Sequence, residues 1–377
     1  MTNPTKLSCD VFCRVIDNFG DAGVAWRLSR SLQREEGFCV RLVIDNLETL
    51  RKIVPEVSLE KKEQCVEDVT ITLWDKDFEK RAEPAHAVIE AFSCFLPESY
   101  EEKIHKRFES GHTVSLIALD YLTAEPYAKE FHGLPSPHPK YGYPKRFYFP
   151  GFEASTGGLF IEGDFEKREA LFGKEERETY AKKLGISLAT PLKIFLFTYP
   201  AVDTRGLARE LAKTGLEIEI LLAPGAAGVD FLEEVKKIGA SQIHTVALPM
   251  VPIREFDQLL SLADFLIVRG EDSASRAILS GKPFLWTLYA QKENAHLEKM
   301  RAFEKTLEPY YPEDLLLLRN RIELALNEGK SPSGLDLKRY LSEIERLKKV
   351  AICYTSHALK LPRAPREIAK MLRDGLK

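Results

Sequence analysis

No stretch of the 377 residues approaches the ~20 consecutive apolar residues that cross a bilayer, and the start "MTNPTKLSCD" lacks a basic run followed by an apolar core. These absences point to a cytoplasmic protein with no membrane contact. The six cysteines, Cys9, Cys13, Cys39, Cys65, Cys94 and Cys353, form no CxxC and no Cys/His pair at metal-ligand intervals. They read as buried free thiols, and no Asp/Glu/His grouping offers a metal site in their place. Neither GxGxxG nor GxxxxGKS/T occurs, which removes the nicotinamide fingerprint and the Walker loop. An epimerase or oxidoreductase built on a dinucleotide loop is therefore disfavoured. A net charge of only -3 leaves no broad basic face of the kind that neutralises phosphates, so no nucleic-acid partner is expected, whereas a basic protein partner is permitted. Solenoid repeats and low-complexity tracts are absent as well.

What the chain does contain is β/α alternation, twice, as suits a length beyond what one core usually reaches. In the first half "CDVFCRVI", "CVRLVI", "VTITLW", "HAVIEAF" and "TVSLIAL" predict strands. Between them, "GVAWRLSRSLQREEG" predicts a helix, with Val24, Ala25, Leu28 and Leu32 at helical spacing and Gly37 as its stop, and "PESYEEKIHKRFES" predicts another. The mostly unbroken apolar runs indicate strands covered on both faces, hence a doubly wound parallel sheet. The stretch 132–158 is so dense in proline and glycine that a long loop or a domain boundary is expected there. Alternation then resumes with "LKIFLFTY", "LEIEILLAP", "IHTVALP", "DFLIVRG" and "PFLWTLY". From "KENAHLEKMRAFEKT" onwards the chain is helical. The last segment, "APREIAKMLRDGLK", is expected to cross back to the first domain, where its apolar face finds a surface. The expected domains are 1–155 with 362–377, and 156–361.

The densest chemistry lies in "ADFLIVRGEDSASRAILSGKPF". A strand ends at Val268, a glycine turns the chain, and a helix is expected to start near Asp272 or Ser273, leaving free backbone N–H groups that suit an anion. Arg269 and Arg276 add positive charge in the forked form that matches phosphate oxygens. Glu271 would repel that anion and is assigned to a neutral donor such as a ribose hydroxyl, giving a nucleoside diphosphate site. A plain helix cap by Asp272 or Ser273, with Arg269 in a surface pair, is the alternative. Other strand ends favour the ligand, because open α/β sheets bind beyond the carboxyl ends of their strands. Phe197 and Tyr199 end "FLFTYP", a proline-rich loop opens "VALPMVPIREFDQLL", and Tyr289 and Gln291 end the next strand. The "APGAAG" stretch is read as a turn.

In the first half, "DNFGDAG" follows the first strand directly. Asn18, Phe19, Gly20 and Gly23 make a turn that a ligand can approach closely. Asp17 and Asp21 would repel a phosphate but match a planar guanidinium, which needs more than one acceptor. Both aspartates could instead simply cap the turn and the helix. "YLTAEP" adds Tyr121 and Glu125 as acceptor-side groups, with a plain helix start equally open.

"DNFGDAGVAWRL", "RGEDSASRA", "YLTAEP" and "LPSPHPKYGYPKRFYFPGF" together resemble the protein-arginine rhamnosyltransferases that modify bacterial elongation factor P, and the similarity runs over nearly the whole chain. The resemblance implies a GT-B fold: two Rossmann-like doubly wound domains facing across a cleft, with the C-terminal helix crossing back. It implies a dTDP-β-L-rhamnose donor in the C-terminal domain and elongation factor P on the N-terminal one. Transfer to one arginine would be inverting and metal-independent, with no cofactor beyond the donor. Catalysis would fall on Asp21 supported by Asp17. Donor contacts would fall on Phe197, Tyr199, Arg269, Glu271, Asp272 and Ser273. Ile253 and Ala290 stand where family members tend to have glutamine and proline. The rival from another class is a non-catalytic module that binds a basic translation factor through the acidic loop.

Overall fold

The computed structural model describes residues 6–16, 19–189 and 192–377. It divides into two units, Met1–Phe165 with Leu361–Lys377, and Glu166–Lys360. The first division falls after Phe165 rather than after residue 155 because Leu159 joins the returning C-terminal segment. Its N–H donates to Pro362 O (3.2 Å) and its carbonyl accepts from Ala364 N (2.9 Å). Among the described residues no helix is long and apolar enough to cross a membrane.

The first unit runs β1 (Ser8–Cys13), α1 (Phe19–Arg34), β2 (Cys39–Ile44), α2 (Leu47–Ile53), β3 (Glu63–Val66), β4 (Val69–Leu73), α3 (Lys76–Arg81), β5 (Ala87–Ala91), α4 (Glu98–Glu109), β6 (Ser115–Leu119), α5 (Pro126–Phe131), β7 (Pro135–Pro137) and β8 (Pro144–Tyr148). Sheet order is β3-β4-β2-β1-β5-β6-β8-β7. The expected parallel strands are there, and β5 is buried at every position, as a run covered on both faces should be. Two antiparallel edges, β3 on β4 and β7 on β8, were not expected. The β7–β8 hairpin lies inside the stretch read as a loop. Proline is tolerated there because β7 is an edge strand, where a missing N–H breaks no ladder bond. Of the cysteines, Cys9, Cys13 and Cys94 are buried, but Cys39, Cys65 and Cys353 are exposed, against the expectation for all six.

The second unit runs α6 (Phe165–Leu171, opening at the junction), α7 (Lys174–Lys183), β9 (Lys193–Leu196), α8 (Thr204–Thr214), β10 (Ile218–Leu222), α9 (Ala226–Ile238), β11 (Ile243–Ala247), α10 (Phe256–Ser261), β12 (Phe265–Arg269), α11 (Gly270–Leu279), β13 (Phe284–Thr287), α12 (Ala295–Leu307), α13 (Glu313–Asn327), α14 (Gly334–Ser342) and α15 (Ile344–Ala358). Its sheet, β11-β10-β9-β12-β13, is parallel throughout. "APGAAG" is a strand-to-helix junction rather than a simple turn, since α9 begins within it after Gly225. The edge strand β13 has no neighbouring strand on its outer side, and α13 stands in for one. Glu323 Oε1 accepts from Trp286 N (2.6 Å), Asn327 Oδ1 accepts from Leu288 N (2.8 Å), and Asn327 Nδ2 donates to Trp286 O (2.9 Å). Outward backbone groups that would otherwise be buried without partners are thereby satisfied.

The last helix, α16 (Ala364–Asp374), belongs to the first unit and packs on α1 and β6. Ala364, Ile368, Ala369 and Leu372 form its buried stripe. The chain enters this helix past Gly158, whose φ is +67° and where an added Cβ would lie 1.8 Å from Pro362 O. No other residue fits that approach.

Candidate active site

In the second unit β9, β12 and β13 are neighbours, so their carboxyl ends form one rim. Arg269, the last residue of β12, lays its guanidinium 4.4 Å from the Phe197 ring centre and 5.0 Å from that of Tyr199. Its Nη1 donates to Thr198 O (3.2 Å). Tyr289, from beyond β13, meets Tyr199 edge-on at 5.6 Å. Strand-end residues from three separate stretches of sequence thus form one cationic, aromatic cluster. Stacking restrains the Arg269 guanidinium at this strand end without neutralising it.

Immediately below, α11 starts at Gly270, earlier than Asp272 or Ser273. The capping position is Arg269 itself, in extended conformation, and no side chain caps the helix. Neither Asp272, half-buried in the first turn, nor Ser273, buried, plays the capping part held open for them. The N-cap side chain makes no capping bond, and the first turn adds the positive end of the helix dipole beside Arg269.

Two other members of the motif are placed differently from expectation. Arg276 is 1% exposed and is no anion ligand: it forks onto Asp257 of α10, Nε to Oδ1 at 2.6 Å and Nη2 to Oδ2. Seven residues into α11, it points to the helix-packed side of the sheet, where a charge is tolerable only when paired. Glu271 is engaged by Lys299 of α12 (2.5 Å), a partner that the local sequence did not suggest. Gln291 is exposed and precedes a one-turn 3-10 helix, Lys292–Asn294. Its N–H donates to His296 Nδ1 (3.2 Å), whose Nε2 lies 3.1 Å from Asn327 O. Glu323, Asn327 and His296 thus shape the Tyr289–Gln291 segment, and sequence reasoning missed all three. The only sign was a row of polar residues, Arg319, Glu323 and Asn327, spaced four apart along the buried stripe of α13.

In the first unit the decisive residue is Asp21. It lies in the first turn of α1 and is 1% exposed, and its Oδ2 accepts from Ile16 N (2.8 Å). This bond closes the connection between β1 and α1 much as an acidic residue does in a capping box. Phe19, Gly20 and Gly23, read as turn residues, are helical instead. Asp17 and Asn18 lie outside the described residues. Negative charge gathers at this strand end. Asp45, following β2, accepts from Val15 N (3.0 Å), and the Cys13 thiol is pushed up first by burial and then by Asp21, Cys94 and Asp45.

Further along the rim Tyr121 stacks on Phe92, with ring centres 4.7 Å apart and planes 20° from parallel. Glu125 Oε2 accepts from Thr123 Oγ1 (2.8 Å), which itself accepts from Glu125 N (3.1 Å), so this carboxylate builds the start of α5. Burial, then Glu125 and Asp120, push the Tyr127 hydroxyl up to about 12. Among the described residues no group of three or more His, Cys, Asp or Glu side chains is placed to hold a metal ion. One rim thus suits an anion and the other a cation.

The family described as "Elongation-Factor P (EF-P) rhamnosyltransferase EarP" matches residues 9–372. The chain belongs to this family. A protein-arginine rhamnosyltransferase of Pseudomonas putida is 38% identical over 311 residues, covering 79% of this chain and 81% of the relative. One from Neisseria meningitidis serogroup B is 33% identical over 350 residues, covering 88% and 87%. Among solved structures, one concerning EarP-mediated arginine glycosylation of translation elongation factor EF-P superposes with a TM-score of 0.66 at 23% identity, covering 98% of this chain and 99% of the neighbour. A Polygonum tinctorium UDP-glucosyltransferase reaches 0.52 at 13% identity, covering 99% and 100%. The fold shared with these glycosyltransferases is GT-B, with two Rossmann-like units and a returning C-terminal helix. Relatives in this family are protein-arginine rhamnosyltransferases, which join a sugar to an arginine side chain.

Proposed function

We propose that this enzyme transfers L-rhamnose from dTDP-β-L-rhamnose to an arginine of elongation factor P in one inverting displacement that requires no metal. The observation that carries the donor side is Arg269, restrained between Phe197 and Tyr199 at the uncapped start of α11. A diphosphate placed there receives forked donors from Arg269 and amide donors from residues 270 to 273, which also stabilise the charge that builds on it as it leaves. Tyr289 and Gln291 stand at the next strand end for the rest of the nucleotide sugar.

On the acceptor side a guanidinium, with a pKa near ~13 against ~4 for an aspartate, resists deprotonation by roughly 12 kcal/mol. The proton must therefore leave as the nitrogen–carbon bond forms or after it. Asp21 takes the part of the group that orients the guanidinium, stabilises its charge and accepts that proton late. The bond from Ile16 N fixes the carboxylate at the junction of β1 and α1, where the acceptor nitrogen would have to arrive. At 1% exposure Asp21 meets a guanidinium only after its cover shifts, and exclusion of water then strengthens the pairing. Asp17 would support it, and Tyr121 and Glu125 would flank the acceptor.

The experiment is incubation of the protein and elongation factor P with dTDP-rhamnose, or with uridine-diphosphate sugars, followed by mass spectrometry. One deoxyhexose on a single arginine, from the thymidine donor only, is the expected result. Binding of elongation factor P without any transfer would favour the non-catalytic module.

A further inference from the structure

The turn between β5 and α4 carries a backbone that nothing in its sequence, "AFSCFLP", requires. Phe92, Ser93 and Phe95 have φ of 58°, 53° and 49°. Side chains bearing a Cβ rarely adopt this left-handed region, and such outliers gather where function needs a particular presentation. Four contacts impose the conformation. Phe92 N donates to Leu119 O (2.7 Å), Cys94 N to Ala91 O (3.2 Å), Cys94 Sγ to Phe12 O (3.5 Å) and Phe95 N to Glu90 Oε1 (3.1 Å). Glu90 is itself held by Lys145 of β8 (2.7 Å).

The result of this tethering is an exposed ring: Phe95 is 75% solvent-accessible, although its neighbours Phe92, Cys94 and Leu96 are buried. Ile16, which donates its N–H to Asp21, is 66% accessible. Cys13 of β1 pairs with Ala91 of β5, so the segments carrying Ile16 and Phe95 leave adjacent strands at the same end of the sheet. Single exposed apolar residues are ordinary on a protein surface. Two at neighbouring strand ends, one held out by a strained turn and the other bonded to the buried carboxylate, are not scattered.

We propose that the Phe92–Leu96 turn is a docking element for the acceptor protein, with Phe95 and Ile16 covering an apolar side chain next to the target arginine. The occupant is a cationic protein segment, because Asp45, Asp120 and Glu125 at these strand ends reach solvent and make the surrounding rim acidic, with the buried Asp21 behind them. This inference rests on the transferase reading. Phe95 acts as a positioning residue through the acceptor.

The test is steady-state transfer to folded elongation factor P by Phe95→Asn, since asparagine accommodates left-handed backbone better than phenylalanine, with Phe95→Tyr as the conservative variant. The KM for the acceptor protein should rise about tenfold in Phe95→Asn, more than kcat falls, and Phe95→Tyr should restore it. Thymidine diphosphate affinity should not move. Active wild type with an unchanged acceptor KM in Phe95→Asn overturns the docking role and leaves the transferase reading standing. An inactive wild type overturns both.

Discussion

The two strand-end rims are built on the same β/α topology yet hold their charged groups in opposite ways. In the second unit Arg269 is restrained by aromatic faces, and the helix start beneath it has no side-chain cap. In the first unit Asp21 is buried and bonded to the backbone of its own approach segment. A site for a small, highly charged ligand can be left open because water solvates it meanwhile, and the ligand simply replaces that water. On the function proposed above, a carboxylate that meets a guanidinium on a folded protein gains from a dry surrounding, where charge pairing is stronger. The cost is that its cover has to open. The docking role proposed for the left-handed turn at Phe95 would belong with the second strategy, since recognition of a protein surface needs shape beside the charge.

The comparison breaks most sharply at Asp21. In Asp21→Asn the side-chain oxygen still accepts from Ile16 N, so the fold of the β1–α1 connection should persist while the charge disappears. Transfer should fall by ~10²–10⁴-fold, with thymidine diphosphate affinity unaltered in calorimetry. Near-normal turnover would remove the proton-accepting role. Arg269→Ala is the reciprocal change, with a smaller expected effect. Loss of a charge-assisted contact should weaken thymidine diphosphate about 10- to 100-fold and leave the acceptor KM in place. Undiminished nucleotide affinity would move the diphosphate away from α11.

The smallest effect lies beneath the second rim. Glu304 of α12 has its carboxyl pushed up to about 7, first by burial and then by the charge of Glu323, against the pull of Arg319 and Arg301. Its folded pKa lies above the ordinary 4.5, so the folded state holds a proton that the unfolded chain releases. Stability therefore falls as pH rises from about 4.5 to about 7 and levels off above. Glu304→Gln keeps the packing and removes the titration. Its melting temperature should exceed that of the wild type by more at pH 8 than at pH 5, and a pH-independent difference would exclude this linkage.

Which parts of this were legible beforehand follows burial. Parallel strands inside the sheets, such as β2, β5 and β10, announce themselves as mostly apolar runs, each interrupted by a single charged residue. The edge strands β3 and β7, and β8 next to the edge, do not, because they are largely solvent-exposed and tolerate glutamate, lysine or proline. The start of α1 was misread for a related reason. Gly20 and Gly23 suggest a turn on local grounds, yet the helix already includes both, with Asp21 bonded back to Ile16. Half of the cysteines were assigned to the wrong environment, since spacing says nothing about which face of an element a thiol occupies.

By itself the sequence determined that there would be two β/α units, that chemistry would collect at strand ends, and that the groups would be acidic in one unit and cationic in the other. Those properties reside in local pattern and residue type. Tertiary structure alone decided what each charge meets. Arg269 and Arg276 stand in one motif, seven positions apart, and are chemically identical. One lies against Phe197 and Tyr199 at a strand end, whereas the other is buried and forks onto Asp257. A guanidinium's role is set by what lies within about 4 Å of it in space, and those neighbours come from distant parts of the chain.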